Sequence, residues 1–129
     1  MKPITQEWVD KAEGDWAALG RELRARKAPN YDDACFHAQQ CAERYLKARL
    51  QEASIAFPRT HDLIDLLNLA LPVEPLWSAL FPAANAISGY AVAFRYPGRS
   101  ATRTEAREAQ RFCRTIREAV RLSLGLPVG

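Results

Sequence analysis

The chain has 129 residues, of which 48% are apolar and 26% charged, with 8 prolines and 6 glycines, the profile expected of one globular domain rather than a tail, coat or array. Three cysteines cannot all pair, and no CxxC or Cys/His ligand spacing occurs, so neither a disulfide scaffold nor a zinc module is expected and a reducing, cytoplasmic setting is. The formal net charge of +3 is uneven: residues 1–94 carry 10 Lys/Arg against 12 Asp/Glu, whereas residues 95–129 carry 8 Arg against 3 acids.

The first element is an amphipathic helix over about residues 5–26, with Trp8, Ala12, Trp16, Leu19 and Leu23 on one face. Nothing in Met1 to Glu13 reads as a signal peptide, since charges run through it. Pro29-Asn30 interrupts the pattern, and Asn30 or Asp32 caps a second helix that runs to about Ala53. Its apolar side, Ala34, Cys35, Ala38, Cys41, Ala42, Tyr45 and Leu50, is mostly small, suited to close helix approach or to a dimer contact. Thr60 is the expected N-cap of a short helix carrying Leu63, Leu66, Leu67, Ala70 and Leu71, closed by Pro72.

A fourth helix is expected over about residues 74–94, opened by Pro75 and bent or split by Pro82. This span has no charge from Pro75 to Phe94, but its prolines, serines, asparagine and many alanines argue for burial in the bundle or a subunit contact rather than a membrane span. After the Arg95-Tyr96-Pro97-Gly98 turn, Thr102 and Glu105 form a capping box for a last helix reaching about Leu124. One side of it carries Arg103, Arg107, Arg111, Arg114, Arg117 and Arg121; the other carries Ala109, Phe112, Cys113, Ile116, Val120 and Leu124. With no alternating strand run, the expectation is a single all-α domain over residues 1–129, an antiparallel up-and-down bundle of about five helices.

Four features bear on chemistry. His37, Gln40, Arg44 and Lys47, with Glu43 at the margin, form one polar stripe on the second helix, either a solvated face or an anion or nucleotide site with two permanent cations and two neutral hydrogen-bonding partners. If it is a site, replacing Arg44 or Lys47 with alanine should weaken nucleotide or RNA binding while leaving stability nearly unchanged. Arg59-Thr60-His61-Asp62 sits at a helix N-terminus, where free amides favour an anion or a cap. Arg95 and Tyr96 pair a cation with an aromatic ring beside a turn, able to stack on a base or to pin the turn. The arginine side of the last helix suits phosphates, although Glu118 interrupts it and no aromatics interleave, and a solvated face is the competing reading. There is no Gly-rich phosphate loop, H-E-x-x-H or G-x-S-x-G, and two histidines are too few for a metal cluster.

The run Tyr31-Asp32-Asp33-Ala34-Cys35-Phe36-His37-Ala38-Gln39-Gln40-Cys41-Ala42-Glu43-Arg44-Tyr45-Leu46-Lys47-Ala48 resembles the second-helix signature of the HEPN domain, and Arg59-Thr60-His61-Asp62-Leu63 and Arg95-Tyr96-Pro97 resemble its R-T-H-D-L and R-Y-P elements. The similarity spans about Trp8 to Leu122. It implies a helical bundle that commonly dimerises, nucleotide or RNA binding, and in prokaryotes partnership with a minimal nucleotidyltransferase as its substrate-binding subunit or in a toxin–antitoxin pair. By position it implies His37, Gln40, Arg44, Lys47, His61, Arg95 and Tyr96 as the nucleotide-binding site. Many HEPN relatives are metal-independent ribonucleases with an R-x4-6-H motif opening the last helix. Here no histidine follows Arg95, so the expectation is a non-catalytic protein without cofactor or metal. The alternatives are a ribonuclease toxin using His37 or His61 and a dimeric scaffold without ligand.

Overall fold

A computed structural model describes all residues, 1–129. Five α-helices form an all-α bundle: α1 (Pro3–Arg24), α2 (Tyr31–Glu52), α3 (Leu63–Ala70), α4 (Phe81–Ile87) and α5 (Arg103–Ser123). The axis of the bundle is α2, which packs against α1 most extensively and also against α5, α3 and α4. Its small face, Ala34, Cys35, Ala38, Cys41 and Ala42, is wholly buried. Those side chains bring α1 and α5 close to α2 and are consumed inside the monomer, so the expectation that this face serves a dimer contact is corrected. The three cysteines are buried free thiols, and burial pushes Cys35 up to about 12.

Local chemistry explains most boundaries. Asn30 Oδ1 accepts from the Asp33 amide at 2.9 Å, and Asp32 and Asp33 place negative charge on the α2 N-terminus. The Thr102–Glu105 capping box is complete, each side chain accepting the other's amide at 3.1 and 3.0 Å. Gly98, with φ of 101°, supplies the left-handed residue that the Pro97-Gly98 turn requires.

Two expectations change. The N-cap of α3 is Asp62, whose Oδ1 accepts from the Ile64 amide at 2.9 Å; Thr60 caps nothing helical but accepts from the Asp62 amide at 3.0 Å. The cause is tertiary, because the Leu63 amide donates to Ser88 Oγ at 2.9 Å, which fixes the start of α3 two residues later. The expected helix over 74–94 is three pieces: a 3-10 turn over Pro75–Leu80, α4, and a second 3-10 turn over Ser88–Ala91. Pro82 falls in the first turn of α4, where its missing amide costs nothing. The uncharged span lines the bundle with Trp77, Leu80, Ala83, Ala84, Ile87 and Phe94, while Leu76 is 86% exposed.

On α5, Ala109, Cys113, Ile116 and Val120 enter the core as their spacing requires. Arg117 departs from the exposed basic side. It is buried and grips Glu13 with two bonds, at 2.9 and 2.8 Å, while Tyr45 donates to the same carboxylate at 2.6 Å and accepts from Arg121 at 2.9 Å. No helix is long and apolar enough to cross a membrane.

Candidate functional site

The polar stripe of α2 is no solvated face. It divides into two networks, each centred on a buried carboxylate. In the first, Asp15 of α1 accepts from Arg44 Nη1 at 2.7 Å and lies 2.8 Å from His37 Nδ1, and His37 Nε2 lies 3.4 Å from Asp33. The hydrogen bond to Asp15 raises the His37 pKa, burial opposes the rise, and the Asp33 charge reinforces it. The sign follows. The stability this histidine contributes is complete below its ordinary value of about 6.5 and is lost as pH rises through the raised value. Asp15→Asn is therefore expected to bring the His37 midpoint, followed by NMR of its ring protons, down toward about 6.5; an unchanged midpoint would dismiss Asp15 as the cause.

In the second network Glu43 accepts from Lys47 Nζ at 2.9 Å and from Gln39 Nε2 at 3.2 Å, and lies 2.9 Å from His61 Nδ1. Gln40 Nε2 donates to the Gln39 side-chain Oε1 at 2.7 Å and to Glu43 at 3.4 Å. Burial acts against the Glu43 anion, but the bonds from Lys47, His61 and Gln39 together hold its carboxyl below the usual range. Lys47 is itself buried, its Nζ 5.5 Å from the centre of the Trp8 ring and 5.9 Å from that of Phe57. The expectation that Lys47→Ala leaves stability unchanged is corrected accordingly. His61 differs: its side chain is 70% exposed, while Gln39 Nε2 holds its backbone carbonyl at 2.8 Å.

Arg95 lies elsewhere. Its guanidinium sits 4.6 Å from the centre of the Phe36 ring, at the edge of a cavity of about 330 Å³ lined by Asn30, Asp32, Asp33, Phe36, Tyr90 and Phe94. No carboxylate lies within ion-pair distance of it, the salt bridge nearest in sequence being that of Arg99 with Glu105 at 3.8 Å. Tyr90 and Phe94 pack at 5.3 Å between ring centres. Asp32 spends one carboxylate oxygen on the Ala101 amide at 2.6 Å and Asp33 one on His37, which leaves an oxygen on each for another donor.

The seven candidates thus do not form one site. Arg95 borders the aromatic cavity and His37 adjoins it through Asp33. Arg44 is committed to Asp15, and Gln40, Lys47 and His61 surround Glu43. Tyr96 is 74% exposed and does not line the cavity. Phe36, Asp32, Asp33, Tyr90 and Phe94 are the cavity residues that spacing alone did not single out. No group of three or more His, Cys, Asp or Glu is arranged to hold a metal ion. A family model described as HEPN domain matches residues 5–123. No curated protein and no solved structure matches the chain.

Proposed function

The chain belongs to the HEPN domain family, and from that membership we propose that it is a non-catalytic nucleotide-binding protein whose ligand occupies the cavity beside Arg95. The observation that carries this reading is an unpaired guanidinium stacked on Phe36 at the rim of an aromatic, acceptor-lined cavity of ligand size. A base would lie against Tyr90 and Phe94, ribose hydroxyls or an exocyclic amine would donate to the free oxygens of Asp32 and Asp33, and a phosphate would meet Arg95. Two aspartates beside one arginine disfavour a highly charged phosphate chain, so a nucleoside monophosphate, or one such unit in RNA, fits this cavity. Titration with AMP should give saturable binding that Arg95→Ala weakens about 10- to 100-fold, the range for a hydrogen bond to a charged group. Equal affinity in the variant would sink the proposal.

The same reading takes the protein as a cytoplasmic homodimer that partners a minimal nucleotidyltransferase in a toxin–antitoxin-type pair. Support for an apolar contact comes from Leu76 and Val92, both exposed on the uncharged span. Sedimentation at micromolar concentration should show a dimer that Leu76→Arg weakens; a monomer throughout removes this part.

One observation favours a second reading, a metal-independent ribonuclease. His61 presents an exposed imidazole oriented at Nδ1 by a buried carboxylate, the arrangement a general base needs. His37 is unsuited, since carboxylates face both its ring nitrogens. Cleavage of RNA in EDTA that disappears in His61→Ala would replace the non-catalytic reading with this one.

A further inference from the structure

A second groove, between α1 and α5, has a different electrostatic character. It measures about 410 Å³ and is lined by Trp16, Gly20, Arg21, Arg24, Gln110 and Arg114 with one alanine, and no acid contributes to it. Cations packed elsewhere in the bundle are matched by carboxylates: Arg44 by Asp15, Lys47 by Glu43, Arg49 by Glu74, and Arg117 by Glu13. Arg21, Arg24 and Arg114 enter no such pair. All three are exposed, so water screens most of their mutual repulsion, and an anion joining them would relieve what remains.

Two local devices hold those charges in place. The Arg114 guanidinium lies 5.6 Å from the centre of the Trp16 ring, and Arg117, anchored on Glu13, lies 4.9 Å from it. The indole thereby fixes one wall of the groove. Further along α1, Arg24 folds back onto Gly20, where a Cβ would stand 2.7 Å from Arg24 Nη1. Gly20 is the residue that admits this approach.

We infer that the α1–α5 groove binds an oligophosphate chain, of a nucleoside di- or triphosphate or of free polyphosphate. Planar guanidinium forks match phosphate oxygens two at a time, and three of them around one small groove match a chain carrying several charges better than a single carboxylate. Gln110 adds a neutral donor. This site shares no residue with the cavity beside Arg95 and stands independently of it.

The test is isothermal titration of the full chain with sodium tripolyphosphate, ATP and AMP, without divalent cations and at low salt. Tripolyphosphate should bind saturably, and AMP binding, which belongs to the cavity beside Arg95, should be the same in wild type and in the groove variants. Arg24→Ala and Arg114→Ala should each lower the affinity about tenfold or more. Gly20→Ala should act in the same direction while the protein stays folded, because the added methyl displaces only the flexible end of Arg24. The exposed Arg59 lies outside the groove, and Arg59→Ala, an equal loss of charge, should change nothing. ATP binding tighter than tripolyphosphate assigns the chain to a nucleotide; equal binding assigns it to free polyphosphate. The inference is overturned if Gly20→Ala and Arg24→Ala bind like wild type, if Arg59→Ala loses as much as they do, or if a short RNA binds through these arginines and tripolyphosphate does not.

Discussion

Replacing Glu43 with alanine is expected to cost about 3–5 kcal/mol of folding stability, the range for breaking a buried ion pair from one side. Glu43 is 3% exposed, and its carboxylate faces Lys47, whose side chain is 9% exposed. Without Glu43 the Lys47 ammonium stays among Trp8 and Phe57 with no counter-ion, and ring contacts do not replace a carboxylate. Asp15 makes a useful contrast, because its partners His37 and Arg44 are half-exposed and water can take over from it, so Asp15→Ala should cost less. Urea denaturation measures both. Glu43→Ala combined with Lys47→Met should recover much of the loss, since the stranded charge is gone. The acid limb should flatten as well: the Glu43 carboxyl is held low in the fold, so its contribution is present above about 4.5 and lost as pH falls through the lowered value. A loss below about 1 kcal/mol would mean that water reaches Lys47 freely.

Ala38→Leu is the second large effect. Ala38 is fully buried on the side of α2 that the other helices pack against, and extra carbons there must push helices apart or force strained rotamers, at about 1–3 kcal/mol or more. The outcome also separates two uses of the small-residue face. A face buried in the monomer gives a lower melting temperature at every protein concentration. One buried between subunits would instead give a dimer that dissociates while each monomer melts unchanged.

The helices were legible where pattern and punctuation agree. In α5 a complete capping box opens a strict apolar period, and Asn30 with two aspartates marks the start of α2. Residues 74–94 were not, because three short pieces joined without charges look like one apolar helix, and the Leu63–Ser88 bond that sets their docking joins residues 25 apart. The cavity has the same difficulty: α2 supplies Phe36 and Asp33, whereas Tyr90, Phe94 and Arg95 come from a distant segment. The burial of Lys47 and Glu43 was hidden for another reason, since an i,i+4 acid–base pair on a helix ordinarily signals solvent. Asp15 did leave a trace. It lies three residues after Ala12 and four before Leu19, an acid on the apolar face of α1, and such a residue asks for buried partners. Arg117 belongs to one arginine series with Arg114 and Arg121, and only the docking of Glu13 distinguishes it.

The α1–α5 groove extends that point. The last helix shows arginines without interleaved aromatics, and the aromatic ring arrives from α1 as Trp16. Cations on α2 are matched within the fold, whereas those at Arg95 and in the groove are not, so unpaired positive charge lies away from the α2 stripe.

Nucleotide binding beside Arg95 is the central claim, and an amide NMR titration with AMP tests it most directly. Saturable shifts confined to Asn30–Phe36 and Tyr90–Arg95, with a midpoint raised about 10- to 100-fold in Arg95→Ala, are the predicted result. Shifts clustered around His61 and Glu43 with that cavity silent, or no shifts at millimolar AMP, would contradict it.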